Sequence, residues 1–75
     1  MKEGLLWYVS DENKGMQETV ENAVDYFKSK YGQAPLACYI HPESTNSEFT
    51  IQETVKVIPN EKVIKNHIWL EIPQD

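Results

Sequence analysis

The stretch from Met16 to Tyr31 constrains this chain more than any other. Its apolar residues Met16, Val20, Ala23, Val24, Phe27 and Tyr31 recur at steps of four, three, one, three and four. Those steps lie on one stripe of a helix with a 3.6-residue period. Gln17, Glu18, Glu21, Asn22, Asp25, Lys28, Ser29 and Lys30 fill the other side as a solvated face. Acidic Glu18, Glu21 and Asp25 come early and Lys28 and Lys30 late, the order the helix dipole favours. Gly32 stands where a left-handed C-cap belongs, and Pro35 prevents continuation. At the other end Ser10, Asp11 and Asn13 are each N-cap candidates. A rod of ~25 Å results, about as long as a seven-residue strand, so one helix can cover one sheet of short strands.

The remaining apolar residues come in strand-like runs. Leu5 to Ser10 is apolar on both faces, through Leu5, Trp7 and Val9 on one and Leu6 and Tyr8 on the other, which predicts a central or dimer-covered strand rather than a bare edge. Leu36 to His41 sets Leu36, Cys38 and Ile40 against Ala37, Tyr39 and His41, and Pro42 ends it. Phe49 to Ile58 alternates as one run, with Glu53 marking a bulge or the end of the buried part. Val63 and Ile64 sit in a short connector. His67 to Ile72 opposes Ile68, Leu70 and Ile72 to His67, Trp69 and Glu71. Strand, helix, strand implies a right-handed crossover, so the first two strands should run parallel, adjacent or with one strand between them.

The expected fold is therefore a single α+β domain over residues 1–75, ordered β-α-β-β-β, with one mixed sheet of about four strands and a single helix packed on one face. The opposite face has no second helix to cover it. Strand phase puts Tyr8, Tyr39, His41, His67 and Trp69 there. An aromatic patch on so short a chain points to a partner surface, with a homodimer as the leading expectation.

Composition narrows the alternatives. Apolar residues at 40% and charged residues at 25% make the chain globular rather than disordered. The net charge is −5 and all seven basic residues are Lys. Without Arg, and with a charge that repels phosphate, nucleic-acid readout is disfavoured. Cys38 is the single cysteine, so no intramolecular disulfide or four-Cys zinc site can form. No apolar run reaches the ~20 residues of a membrane span, and none has the form of a signal peptide. A reducing, cytoplasmic setting is the expectation.

Three groups invite a chemical reading: His41, His67 and Cys38. In a simple meander the second and last strands are parallel, which sends the two histidines to opposite ends of the sheet. Only a last strand antiparallel to the second brings them together. Cys38 shares the phase of the helix-facing residues, as a small buried hydrophobe does, and points away from His41. Glu18, Glu21 and Asp25 lie on a solvated helix face, and Gly4, Gly15 and Gly32 form no phosphate loop. The expectation is thus a non-enzymatic interaction module with no catalytic residue, cofactor or metal. The alternative is a small-molecule or metal-assisted enzyme using His41 and His67.

Tyr31-Gly32 with Pro35, then His41-Pro42, then His67 with Trp69 make a pattern: a helix ending in YGxxP, a strand ending in HP and a late strand opening HxW. The pattern spans about two-thirds of the chain and resembles one in small uncharacterised prokaryotic α+β proteins. The resemblance implies a compact α+β fold and transfers no mechanism.

Overall fold

A computed structural model describes residues 3–9, 15–43 and 47–73. The elements are β1 (Gly4–Tyr8), α1 (Met16–Tyr31), β2 (Cys38–Ile40), β3 (Phe49–Ile51), β4 (Val55–Pro59) and β5 (His67–Glu71). The five strands form one mixed sheet in the order β1-β5-β2-β4-β3. Strand β5 is antiparallel to both β1 and β2. Those two therefore run parallel with β5 between them, as the crossover through α1 requires. Strand β4 is parallel to β2, and β3 is antiparallel to β4.

The helix has the bounds its apolar stripe predicts. Its N-cap is Gly15, with extended backbone and no side-chain cap hydrogen bond; the candidates Ser10, Asp11 and Asn13 lie outside the described residues. In place of a side-chain cap, Thr19 closes the first turn on Gly15: its amide and its hydroxyl both donate to the Gly15 carbonyl, each at 3.0 Å. At the far end Gly32 adopts φ 74°, and its N–H donates to the Lys28 carbonyl at 2.8 Å. That is the left-handed cap expected there, a conformation glycine adopts without Cβ strain.

Val20, Ala23, Val24 and Phe27 drive into the sheet and form one core with Cys38, Ile40, Ile51, Val55, Val57, Ile68 and Leu70. All of these are essentially inaccessible to solvent. Leu5 and Trp7 of β1, with Val9 just after it, join the core but stay half-buried. Strand β1 is an edge strand, not a central one. Within one copy its two apolar faces have these contacts: Trp7 packs at a tilt against Tyr26 of α1 with ring centroids 5.1 Å apart, while Leu6 lies across from Trp69 on the other side. Side chains on both faces find contacts although, among the described residues, the backbone pairs with a strand on one side only.

Two further expectations change. The run from Phe49 to Ile58 is a hairpin of two strands, so the sheet has five strands rather than about four. Phe49, Thr50 and Ile51 pair with Val57, Lys56 and Val55 around the turn Gln52–Glu53–Thr54. Gln52 and Glu53 take positive φ of 50° and 66°, which places Glu53 in a turn instead of a bulge. The turn is tied to α1, because Gln52 accepts from the Lys28 ammonium and donates to Asp25 Oδ1.

Leu36, expected beneath the helix beside Cys38 and Ile40, is 60% exposed. Its N–H donates to the Glu71 carbonyl, and the Glu71 N–H donates to Ala37. Two residues thus oppose one, a bulge that breaks the alternation before β2 begins.

Candidate functional site

The candidate site is the sheet face turned away from α1, and the strand registers define it. Leu6 opposes Trp69, Trp69 opposes Tyr39, and Tyr39 opposes Ile58. The neighbours of these residues, Ile68, Leu70, Cys38, Ile40 and Val57, are buried in the core. Alternation therefore turns Leu6, Trp69, Tyr39 and Ile58 outward as one row across four strands. A second row starts with Tyr8 opposite His67, their rings 5.2 Å apart. His41 directly follows Ile40, which is paired with Ile68, so it lies at the same end of the sheet as His67.

This order decides between the two arrangements that the sequence left open. Strand β5 is antiparallel to β2 and adjacent to it, so the two histidines share one end of the sheet. Their Nδ1 atoms are engaged locally. His67 Nδ1 lies 2.8 Å from the Lys65 carbonyl; a carbonyl can only accept, so this nitrogen carries a proton, and in the neutral ring Nε2 is then the acceptor. His41 Nδ1 accepts from the Glu43 N–H at 3.1 Å, which leaves Nε2 to carry the proton in the neutral ring. Glu43 Oε2 is 3.8 Å from His41 Nδ1 and 2.6 Å from Lys65 Nζ. The hydrogen bond and charge of Lys65 hold the Glu43 carboxyl below the usual carboxylate range. Among the described residues, no group of three His, Cys, Asp or Glu side chains is placed to hold a metal ion. Cys38 lies in the core, where burial pushes its thiol up to about 12. The thiolate is the reactive form of cysteine, and burial disfavours it here.

Tyr39 and Glu71 form the polar centre of the face. The Tyr39 hydroxyl donates to Glu71 Oε1 at 3.3 Å. Burial first, then the charge and the hydrogen bond of Glu71, push the phenol above its usual range. Glu71, a charge inside a strand, thus has a hydrogen-bonding role.

The face is not wholly open. Between β4 and β5 the chain turns at Asn60, whose N–H donates to the Ile40 carbonyl and whose side chain accepts from the Lys62 N–H, both at 2.8 Å. The turn sends Val63 inward, where it is buried. Leu6, Lys62, Val63, Ile64 and Trp69 line a shallow cleft there. The Trp69 indole N–H is buried in this region and has no partner among the described residues. Around it Leu6, Tyr8 and Ile64 remain 43%, 62% and 60% exposed.

Sequence phase placed Leu6 on the Tyr8 side of its strand without assigning it to the site. It gave no indication of Val63 as a partial roof or of Ile64 at the rim, because the connector has no period to read.

No protein-family model, curated protein or solved structure matches the chain. No helix among the described residues is long and apolar enough to cross a membrane.

Proposed function

We propose that this protein is a small non-enzymatic interaction module of the cytoplasm that self-associates through the sheet face opposite α1. One observation carries the reading: Leu6 and Tyr8 remain 43% and 62% exposed on that face, beside half-buried Trp69 and His67. Each apolar side chain withdrawn from water contributes about 1.5–3 kcal/mol when burial is complete. A 75-residue chain buries a smaller share of its surface than a large one does, so pairing two such faces supplies cover that the single copy lacks. Tyr8, Tyr39, His41, His67 and Trp69 form the proposed interface, with Leu6 and Ile64 at its margin. Trp69→Ala tests the reading. It removes the largest ring of the face, so self-association should weaken at least tenfold while the helix signal in circular dichroism persists. Unchanged association with retained fold would exclude this face as the contact.

A second reading, a small-molecule or metal-assisted enzyme using His41 and His67, has its own supporting observation: both residues stand at the same end of the sheet. Zinc titration followed by the imidazole NMR signals tests it. Joint movement of both rings at stoichiometric zinc supports that reading, and two unmoved rings exclude its metal form.

A further inference from the structure

Strand β1 ends the sheet, and its outer edge has no neighbouring strand among the described residues. The ladder to β5 shows which backbone groups that edge presents. Ile72 N–H donates to the Glu3 carbonyl at 3.0 Å and Val9 N–H to the Asn66 carbonyl at 2.8 Å. Both pairs continue the β1–β5 register. In an antiparallel pair the bonded residues alternate. Residues Glu3, Leu5, Trp7 and Val9 therefore bond toward β5, and Gly4, Leu6 and Tyr8 direct their N–H and C=O groups outward. We infer that this edge pairs with the same edge of a second copy, antiparallel, about a twofold axis at Leu6. The inference takes from the reading above only that the chain self-associates; it locates the contact at the β1 edge, where pairing extends the sheet and does not itself bury the face opposite α1.

That register alone places all three outward residues in bonded pairs within the strand: Leu6 with the second copy's Leu6, and Gly4 with the second copy's Tyr8 in both directions. It also sets Leu5 against the second copy's Trp7 on the helix side, so each position meets an apolar or glycine partner. A twofold pairing of this kind is the isologous contact typical of homodimers.

Charge favours a second copy at this edge. The chain carries a net −5, and two copies repel wherever acidic surface meets acidic surface. Strand β1, Gly-Leu-Leu-Trp-Tyr, carries no charge. The other edge, β3, is only three residues long, a feature that discourages edge pairing; an acidic residue directly precedes each edge strand, Glu3 before β1 and Glu48 before β3.

Exposed aromatic surface beside this edge supplies part of the area a dimer needs. Tyr8 is 62% and Tyr26 47% exposed. At ~150–250 Å² per aromatic side chain they hold on the order of 200 Å² of open surface. That is about a quarter of the ~800 Å² per partner in a stable interface. Leu5, Leu6, Trp7 and the strand backbone add to it.

Hydrogen exchange on the wild-type chain, read by NMR at concentrations where light scattering gives the dimer mass, tests the pairing. The amides of Gly4, Leu6 and Tyr8 should be protected in the dimer and lose that protection on dilution. Fast exchange at all three in a sample of dimer mass would overturn the edge pairing and leave association through the face standing. A monomer mass at every concentration would overturn both. An independent check uses Leu6→Lys and Leu6→Glu. Each alone places like charges opposite each other at the axis and should raise the dimer Kd at least tenfold, and an equimolar mixture should restore the dimer. Folded variants that stay dimeric alone, or stay monomeric when mixed, would contradict the twofold at Leu6.

Discussion

The indole of Trp69 lies directly over Gly4. A Cβ built on Gly4 would stand 2.5 Å from Cε2 of that ring and 2.7 Å from Cζ2 and Nε1. Glycine on the edge strand and the large ring on its neighbour thus fit as one unit, and the ring shields edge backbone that a glycine leaves bare.

Gly4→Ala should therefore cost about 1–3 kcal/mol, the usual penalty for forcing a rigid group out of a packed position. At ~4–8 °C per kcal/mol for a domain of this size, the loss is easily read as a change in melting temperature. Trp69→Phe removes the ring atoms nearest the new methyl. The double variant should therefore be more stable than the sum of the single effects predicts. Strict additivity would show that the ring moves aside freely.

Phe27 is fully buried and rests on Tyr31, with ring centroids 4.5 Å apart. Phe27→Ala should lower stability by about 3–5 kcal/mol. A chain of this length has on the order of 4–11 kcal/mol in total. Urea unfolding should show a midpoint reduced by about a quarter or more, and a shift within error of zero would place the core elsewhere.

Cys38 links the core to pH. Its thiol is raised to about 12 from an ordinary 9.0 by burial. The folded state therefore holds the proton more tightly than the unfolded chain does. The stability this contributes is fully present below pH ~9 and is lost as pH rises toward ~12. Native protein should resist thiol-specific reagents at pH 8 and react only as fast as it unfolds. Reaction at the rate of a free thiol would show that the core is open.

Tyr39 responds in the same direction for a partly different reason. Burial and the neighbouring Glu71 carboxylate both raise its phenol, so its contribution is present below the unfolded value of ~10 and declines above it. Glu71→Gln removes the charge and should bring the Tyr39 titration, followed by ultraviolet absorbance, back toward the ordinary range. An unmoved titration would mean that burial accounts for the whole effect.

The sequence revealed these features unequally. The helix was readable end to end because Met16, Val20, Ala23, Val24, Phe27 and Tyr31 carry an undivided period. The outward placement of Tyr8, Tyr39, His67 and Trp69 was readable because strand parity needs no knowledge of strand order. The hairpin was not. A three-residue turn separates Ile51 from Val55 by four positions, an even number, so alternation passes through Gln52–Glu53–Thr54 as if the strand were unbroken. Nor do Gln52 and Glu53 carry the Gly, Asn or Asp that marks positive φ. Whether His41 and His67 share an end of the sheet depends on the order β5-β2, a long-range pairing that local pattern does not encode. Leu36 misled because its parity was counted across a bulge.

Sedimentation equilibrium of the wild-type chain over a wide concentration range addresses self-association itself. The predicted result is a mass rising from 8.7 kDa to twice that value with a single association constant. A mass fixed at one copy up to millimolar concentration would contradict it and leave the face opposite α1 as ordinary surface.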